Sequence, residues 1–235
     1  QAVHAGDVIE THLVETEPSD GILPRPVPFS VVYEDDDILV VDKPADTPIH
    51  PSIGNYENTL ANGIAWYFEQ KGEPFVDRDT TGLIVLAKHA LSAAVLSQAM
   101  RSREIHRTYQ AFALGETAAS GTIDAPIARL DGSLIQRTVD FASGERSVTH
   151  YRTLAHCSVF SHLELNLETG RTHQIRVHMA YIGHPLLGDT LYNKTPGTFP
   201  RQALHSASLS FVHPITGEPL NFHAPLPEDM QNLLT

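Results

Sequence analysis

The residues best able to do chemistry lie together in one run of the chain, L-E-T-G-R-T-H-Q-I-R-V-H-M-A-Y-I-G-H-P-L-L-G-D-T-L-Y, residues 167–192. Fourteen consecutive positions hold six side chains with nitrogen donors: Arg171, His173, Gln174, Arg176, His178 and His184. Such a density of cationic and hydrogen-bonding groups is suited to holding anionic oxygens. We expect a helix to begin near Arg171, with the side chain of Glu168 or Thr169 as its N-terminal cap.

The apolar residues of the same run predict which way that helix faces. Ile175, Met179 and Ile182 recur at spacings of four and three, which predicts one buried stripe, and Gly183 suits the left-handed position just past the helix end. Arg176 leaves the helix beside this stripe. Because a guanidinium group cannot be deprotonated in a protein, a half-buried Arg176 needs a carboxylate partner from elsewhere in the chain.

A second chemically capable stretch is E-P-F-V-D-R-D-T-T-G, which places Asp77 and Asp79 in a loop directly before the apolar strand L-I-V-L-A-K. An aspartate paired with an arginine stays ionised, so it can act as a nucleophile or electrostatic stabiliser, which suits attack at a sugar carbon. Tyr109 follows Arg103 and Arg107. This arrangement would allow an RNA base to stack on the tyrosine ring while the arginines bind phosphates. Taken singly, the aspartates also fit a capped turn, and Tyr109 also fits a tyrosine that fills the core.

Spacing argues against other kinds of site. The chain has 14 histidines but one cysteine, and His173 and His178 are five positions apart rather than four, so we predict no metal site. It contains no G-x-S-x-G elbow, P-loop or dinucleotide fingerprint, so we predict neither a serine hydrolase nor a cofactor. No apolar run approaches the about 20 residues that cross a bilayer. A single cysteine suits a reducing cytoplasm.

The elements that must position these residues are mostly short strands. Residues 1–17 read as the tail of a further domain, the proline-rich residues 18–28 predict a linker, and residues 29–235 form the main domain. Many antiparallel strands with a few flanking helices predict an α+β fold with a mixed, largely antiparallel central sheet. Of the net charge of −12, residues 1–46 carry −9, so a local basic surface elsewhere is compatible with a nucleic-acid partner.

Five segments, in this order along the chain, resemble the RluA-type pseudouridine synthase family. They are V-Y-E-D-D-D-I-L-V-V-D-K-P, V-D-R-D-T-T-G-L-I-V-L-A-K, I-H-R-T-Y-Q-A-F-A-L-G, the opening run from E-T-G-R to G-D-T-L-Y, and A-L-H-S-A-S-L-S-F-V-H-P. The resemblance runs from about Pro28 to Pro227 and implies a pseudouridine synthase-like catalytic domain. The segment V-H-A-G-D-V-I-E resembles the last strand of a small N-terminal RNA-binding domain, of which a remnant is then expected.

The resemblance implies the isomerisation of specific uridines to pseudouridine in structured RNA, either rRNA or tRNA, with no cofactor and no metal. It implies Asp77 as the catalytic aspartate, Arg176 as its ion-pair partner, and Tyr109 as the ring that packs on the target base. We further predict RNA contacts from five basic side chains: Arg103, Arg107, Arg137, Arg171 and His173. The expected protein is a monomer that binds RNA in the cytoplasm.

One departure from the family pattern concerns Asp77. The family has Arg-Leu directly before the catalytic aspartate, whereas Phe75 and Val76 stand there in this chain. We expect that several residues between Val76 and Asp77 are missing from the sequence. A genuine deletion would favour a catalytically inactive RNA-binding homologue. A third interpretation, an N-glycoside hydrolase using Asp77 and Asp79, explains the carboxylates but neither the arginine nor the tyrosine.

Overall fold

The computed structural model describes residues 22–45, 47–49, 56–71, 83–133, 135–157, 159–195, 197 and 199–234. The expected N-terminal tail, residues 1–17, lies outside these ranges, and so do Val76, Asp77 and Asp79. No helix within them is long and apolar enough to cross a membrane.

The first sheet has three antiparallel strands, and one helix packs on it. Its elements are β1 Ser30–Glu34, β2 Ile38–Asp42, β3 Leu83–Ala87 and the helix α1 Leu60–Lys71. The hairpin predicted from the two β-branched runs is therefore confirmed. Leu39 and Val41 of β2 face α1, whereas Ile38 and Val40 face a second apolar cluster. Burial on both faces explains why this strand is a continuous apolar run.

The second sheet has six strands in the order β11-β10-β4-β9-β8-β5. They are β4 His106–Leu114, β5 Ser120–Asp124, β8 Val148–His156, β9 Phe160–Leu167, β10 Leu204–Val212 and β11 Pro219–His223. Every pairing between described strands is antiparallel, which confirms the predicted α+β fold with a largely antiparallel central sheet.

The remaining elements are a two-stranded hairpin and three helices. They are β6 Ile127–Arg129, β7 Arg137–Val139, α2 Ala90–Ser102, α3 Gln174–Tyr181 and α4 Glu228–Gln231. Helix α3 shares an apolar cluster with the six-stranded sheet and contacts the hairpin strand β7. Helix α3, in the middle of the run at residues 167–192, therefore lies between the sheet and this hairpin.

Two apolar clusters cover the same face of the six-stranded sheet. The first joins Tyr109 and its strand neighbours to Ile175 and Met179 of α3, and the second joins Leu209 of β10 to β2 and β3. Tyr109 lies opposite Ser206, and Arg107 lies opposite Leu209. Directly opposed residues, and residues two apart on one strand, point to the same side of a sheet. The two clusters are therefore neighbours on one face and meet at the Tyr109–Ser206 pair.

The start of α3 corrects the sequence prediction. The helix begins at Gln174 rather than near Arg171, because His173 has the left-handed backbone conformation, with φ of 60°. Neither expected side chain caps the helix: the Thr169 hydroxyl donates to Gln174 Oε1 at 2.8 Å, and Glu168 pairs with side chains of the neighbouring strand β8 region. The Gln174 amide in turn donates to the backbone of β8, so contacts across the sheet decide where this helix starts.

Other features of α3 agree with the prediction. Ile175 and Met179 are buried, and Ile182 packs against the same cluster. Gly183 follows the helix with φ of 87°, a left-handed conformation that glycine adopts without a steric penalty. Arg176 is 9% exposed, as expected of an arginine beside the buried stripe.

The second half of the predicted linker packs on α1. The Arg25 backbone N–H donates to the Asn62 carbonyl at 3.1 Å, and Asn62 Nδ2 donates to the Leu23 carbonyl at 2.7 Å. A Cβ atom on Gly63 would lie 2.5 Å from the Val27 carbonyl oxygen, so only glycine allows this close approach. Residues 22–28 have an extended backbone but are attached to the first sheet's helix.

A serine at the junction of the two clusters gives a stability prediction. Ser206 is 2% exposed, and its hydroxyl has no hydrogen-bond partner among the described residues. An unpartnered buried hydroxyl costs about 1–3 kcal/mol, so we expect Ser206→Ala to leave the free energy of unfolding unchanged or raise it by about 1 kcal/mol. Urea unfolding measures this value.

The matched control is Ser161→Ala, at a serine that is also buried but whose hydroxyl is hydrogen-bonded. Ser161 Oγ donates to the Gly115 carbonyl at 2.8 Å and accepts from the Thr117 N–H at 3.1 Å. The substitution removes the hydrogen-bond partner of both groups and of His156 Nδ1, which lies 3.1 Å from Oγ, and we expect a loss of about 1–3 kcal/mol. Equal losses from the two substitutions would contradict the assignment of Ser206 as unpartnered.

Candidate active site

A buried ion pair lies at the centre of the candidate site. Arg176 Nε and Nη2 donate to the two carboxylate oxygens of Asp189, each at 2.7 Å, in the bidentate geometry that arginine and carboxylate favour. The two side chains are 11% and 0% exposed. The expectation that the chain supplies a carboxylate for Arg176 is confirmed, but sequence reasoning did not identify Asp189 as that carboxylate.

The turn after α3 shapes the position of Asp189. Its Oδ1 also accepts the backbone N–H groups of Leu191 at 3.0 Å and Tyr192 at 3.2 Å. Gly188 has φ of 67°, and a Cβ there would overlap the Arg201 carbonyl oxygen, so glycine is required. Burial by itself raises the pKa of Asp189, but the hydrogen bonds and the charge of Arg176 outweigh burial and lower it. The carboxylate is therefore ionised at neutral pH.

Tyr192 connects this ion pair to two further residues. The guanidinium carbon of Arg176 lies 5.1 Å from the centre of the Tyr192 ring, within cation–π range. The Tyr192 hydroxyl accepts the Arg137 backbone N–H at 2.9 Å and lies 2.8 Å from His173 Nδ1. We call these five residues, Arg137, His173, Arg176, Asp189 and Tyr192, the Tyr192 group.

His173 is half-buried and carries no charge at neutral pH. Burial lowers its pKa most, and the positive charges of Arg176 and Arg137 lower it further, to about 4, against the opposing effect of Asp189. The side chain predicted to contact RNA is thus a neutral hydrogen-bonding group.

Tyr109 lies on the sheet beneath α3. It is 6% exposed and shares the first apolar cluster with Ile175, the neighbour of Arg176 in the chain. Its opposed residues are Leu165 on β9 and Ser206 on β10. The structure therefore brings the predicted tyrosine strand and the predicted arginine helix together.

Asp77 lies outside the described residues, but the strand that follows it is described. Leu83, the first residue of β3, is buried in the second cluster with Leu209 and lies opposite Asp42. Five residues lie between Asp77 and Leu83 in the chain. Leu83 itself belongs to the cluster that borders the junction at Tyr109 and Ser206.

A cavity of about 670 Å³ opens beside this junction. Its lining includes Phe29, Asp42 and His205, and Asp42 is the residue opposite Leu83. Neither Tyr109 nor Arg176 lines it, so the cavity adjoins the site rather than forming it.

Three arginines form an outer basic group at the ends of β8 and β9. Arg103 lies 3.7 Å and Arg146 2.9 Å from the carboxylate of Glu168, and Arg171 pairs with Glu145 at 2.5 Å. The group brings together two predicted RNA contacts, Arg103 and Arg171. Sequence reasoning missed Arg146, since a single basic residue in a turn carries no local signal.

The other predicted RNA contacts lie apart from the outer group. Arg107 is two residues before Tyr109 on β4, and its Nη2 lies 3.1 Å from the Met100 sulfur. Arg137 begins β7 and belongs to the Tyr192 group. The basic side chains thus form an exposed group and a more buried group around Arg176, rather than one continuous patch.

A cluster of Asp35, Asp37 and His213 has the composition of a metal site, with ligand atoms within 4.8 Å of one another. His213 Nδ1 accepts the backbone N–H groups of Ile215 and Thr216, so its proton lies on Nε2, which donates to Asp35 Oδ2 at 2.9 Å. The hydrogen bond from His213 to Asp35 ties the turn between β10 and β11 to the β1–β2 turn. The absence of a metal from the reaction stays a prediction.

The buried ion pair gives the second prediction. Asp189→Ala leaves Arg176 charged and buried without its partner, which costs about 3–5 kcal/mol. We expect guanidinium unfolding to show a loss of this size. The exposed pair of Arg25 and Glu57, 42% and 54% exposed, is the control, and Glu57→Ala should leave the free energy of unfolding nearly unchanged. An Asp189→Ala protein as stable as Glu57→Ala would contradict a structural role for the pair.

Buried histidines give a prediction about pH. Burial is the largest cause of a lowered pKa in each of His162, His178 and His205. The unfolded chain, with histidine pKa values of about 6.5, therefore binds more protons than the folded protein just below that pH. We expect the free energy of unfolding to fall as the pH drops from about 7 to 5. Protonation of Asp189, whose pKa is lowered in the folded protein, reduces the stability further only below about pH 4. Urea unfolding at several pH values tests the sign, and a constant or rising stability would contradict it.

The sequence matches known proteins over most of its length. The family model described as RNA pseudouridylate synthase matches residues 37–181. An uncharacterized RNA pseudouridine synthase of Bacillus subtilis is 42% identical over 237 residues, which cover 97% of this chain and 83% of the relative. The ribosomal large subunit pseudouridine synthase D of Vibrio cholerae is 42% identical over 251 residues, covering 97% and 76%. This second alignment is longer than the chain's 235 residues, so the relative carries residues without a counterpart here.

Solved structures agree with the fold. Human RNA pseudouridylate synthase domain containing 1 superposes with a TM-score of 0.67 at 26% identity, covering 89% of this chain and 86% of that one. Human RNA pseudouridylate synthase domain containing 4 gives the same TM-score at 23% identity, which supports the fold alone.

Proposed function

Because the chain belongs to the RNA pseudouridylate synthase family, we propose that Asp77 is the aspartate with which it isomerises uridine in RNA to pseudouridine. The chain is an RNA pseudouridine synthase, and the proposal concerns the residues that carry the reaction. The observation that supports it best is the buried, fixed guanidinium of Arg176, on the helix that packs over Tyr109.

The reaction needs an ionised carboxylate. The bond between uracil N1 and the ribose C1′ breaks, the base turns, a bond forms from C5 to C1′, and the C5 proton is lost while N1 gains one. Attack on C1′ and removal of a sugar proton are the two roles open to Asp77, and both use its ionised form. A fixed arginine in a water-poor site favours that form by its charge.

Arg176 has the capacity to serve two carboxylates. A guanidinium group carries five N–H donors, and Asp189 takes one from Nε and one from Nη2. We propose that Asp189 orients Arg176 permanently and that the remaining donors face Asp77. The expected pairing of Arg176 with Asp77 thus stays part of the proposal, with Asp189 added as the residue that holds the arginine.

Tyr109 is proposed to pack against the target base. The uridine has to leave its stack to reach a buried residue, and an aromatic ring provides a surface on which an extruded base is stabilised. The cavity beside the Asp42–Leu83 pair is large enough to hold an adjoining nucleotide.

The basic residues are proposed to hold the RNA backbone around this base. Arg103 and Arg171 of the outer group are exposed, whereas Arg107, Arg137 and His173 are half-buried. A local concentration of this kind offsets the chain's net charge of −12, because electrostatic attraction to phosphates depends on nearby charges.

Ribosomal RNA is the proposed substrate. Several relatives at 40–42% identity are named ribosomal large subunit pseudouridine synthase D, and they favour large-subunit rRNA over tRNA. We propose that the protein acts as a monomer in the cytoplasm, where that RNA is found. The assay below, run on both RNAs, tests the choice of substrate.

The alternative is an RNA-binding homologue without activity. Phe75 and Val76 stand before Asp77 where the family resemblance calls for Arg-Leu. A shortened catalytic loop would keep the RNA surface and lose the reaction.

Label release from uridine tests the proposal directly. RNA carrying tritium at C5 of uridine loses the label to water only when C5 forms the new glycosidic bond. We expect release by the wild-type protein, a loss of about 1,000-fold or more in Asp77→Ala, and at most a modest change in Asp79→Ala. Urea unfolding of both variants checks that they fold.

Three results would contradict this assignment. No release by a folded wild-type protein on either RNA would favour the inactive homologue. Release that survives Asp77→Ala would remove the role of Asp77. Free uracil as the product would indicate a glycoside hydrolase.

A further inference from the structure

The neighbours of the Tyr192 hydroxyl determine which hydrogen bond it accepts and which it donates. The Arg137 backbone N–H donates to its oxygen at 2.9 Å, and His173 Nδ1 lies 2.8 Å away. No other hydrogen-bond partner of this hydroxyl is found among the described residues. Because an amide N–H can only donate, the single hydroxyl proton of Tyr192 is directed to His173 Nδ1.

This arrangement determines which nitrogen of His173 carries a proton. Nδ1 accepts, so the ring is neutral and its proton lies on Nε2. The opposite arrangement, with the proton on Nδ1, would leave the half-buried Tyr192 proton without an acceptor among the described residues. A lost hydrogen bond of this kind costs about 1–3 kcal/mol.

The charges around His173 act in the same direction. Arg176 from α3 and Arg137 from β7 both disfavour a cationic ring, and together they outweigh the attraction of Asp189 from the turn before Tyr192. The ring of Tyr192 packs edge-on against His173, with centroids 5.6 Å apart, and leaves the Nε2 side of the imidazole directed away from its hydroxyl.

The backbone of His173 is also unusual. Its φ of 60° is left-handed, and among the described non-glycine residues only Arg103 shares a positive φ. This conformation is disfavoured for residues with a side chain, although asparagine and histidine tolerate it better than most. It places the imidazole beside Tyr192, three residues before Arg176.

We propose that Tyr192 is a positioning residue whose hydroxyl holds His173 as the neutral tautomer, so that His173 Nε2–H donates to a phosphate oxygen beside the target uridine. An anionic oxygen fits a donor that two arginines flank, and hydrogen bonds to phosphates are what position a protein on a nucleic-acid backbone. The inference rests on the proposed RNA substrate. It adds one neutral, directional hydrogen-bond donor to RNA contacts that are otherwise made by charged side chains.

The first test removes only the hydroxyl. Tyr192→Phe keeps the ring beneath Arg176 and takes away the partner of His173 Nδ1. Nitrogen NMR of the wild-type protein should show His173 protonated on Nε2 and unprotonated on Nδ1 near pH 7. In the variant we expect both neutral tautomers of His173, because burial and the two arginines still disfavour a charged ring. The Kd for substrate RNA near pH 7 should rise about twofold to tenfold, as the fraction protonated on Nε2 falls.

Two substitutions at His173 separate the donor from the backbone. His173→Asn keeps a neutral N–H donor in a residue that accepts the left-handed backbone, and its Kd should stay within about threefold of wild type. His173→Gly also accepts that backbone but has no donor, and its Kd should rise about tenfold. Adding Tyr192→Phe to His173→Gly should change the Kd little further, since both act through one contact.

A modified RNA identifies the contacted group. Methylphosphonate replacement of single phosphates around the target uridine should reveal one position at which wild type and His173→Gly bind equally well. The absence of any such position would overturn the phosphate contact.

Other results would overturn the positioning role. An unchanged Kd in His173→Gly, a proton on Nδ1 of the wild-type ring, or a Tyr192→Phe protein that loses stability but keeps the wild-type Kd and the wild-type tautomer of His173 would each do so. These measurements report RNA binding rather than activity. A wild-type protein that binds RNA without releasing label would overturn the proposed catalysis. The Kd values would still decide the role of Tyr192.

Discussion

The charge of Arg176 is the constraint from which the rest of the site follows. A guanidinium group keeps its proton at any physiological pH, so a buried one has to be paired and hydrogen-bonded. Asp189 meets that need with two bonds of 2.7 Å, and the turn that carries it is shaped by Gly188 and by two backbone N–H groups. One buried charge thereby links the helix α3 to the turn that follows it.

The six-stranded sheet supplies the surface on which this pair is held. Two apolar clusters lie side by side on one of its faces, one under α3 and the other under the three-stranded sheet. Tyr109 and Ser206 lie where the clusters meet, and Leu83 at the start of β3 belongs to the cluster under the three-stranded sheet. A site between two packed units, each with its own apolar support, allows polar groups to be buried without weakening either core.

The local charges around the site differ from what the net charge of the chain suggests. The outer arginines are exposed and pair with Glu145 and Glu168, so their positive charge is partly offset by these acids. The Tyr192 group is more buried, and there a neutral histidine stands between two arginines. In the proposed function, long-range attraction of RNA and short-range orientation of its phosphates therefore belong to different residues.

The sequence by itself determined what depends on neighbours along the chain. The β1–β2 hairpin, the buried stripe of α3 and the left-handed Gly183 follow from residue spacing and local backbone preference, and the requirement that Arg176 be paired follows from its permanent charge. The family resemblance likewise came from short ordered segments, and the family match supports it. The tertiary structure decided which groups meet. Any of 28 acidic residues satisfied the charge requirement, and only the turn after α3 selects Asp189. Contacts with β8 move the start of α3 to Gln174, and the surroundings of Tyr192 set the proton of His173, because the energy of a polar group depends on burial and on partners distant in the chain.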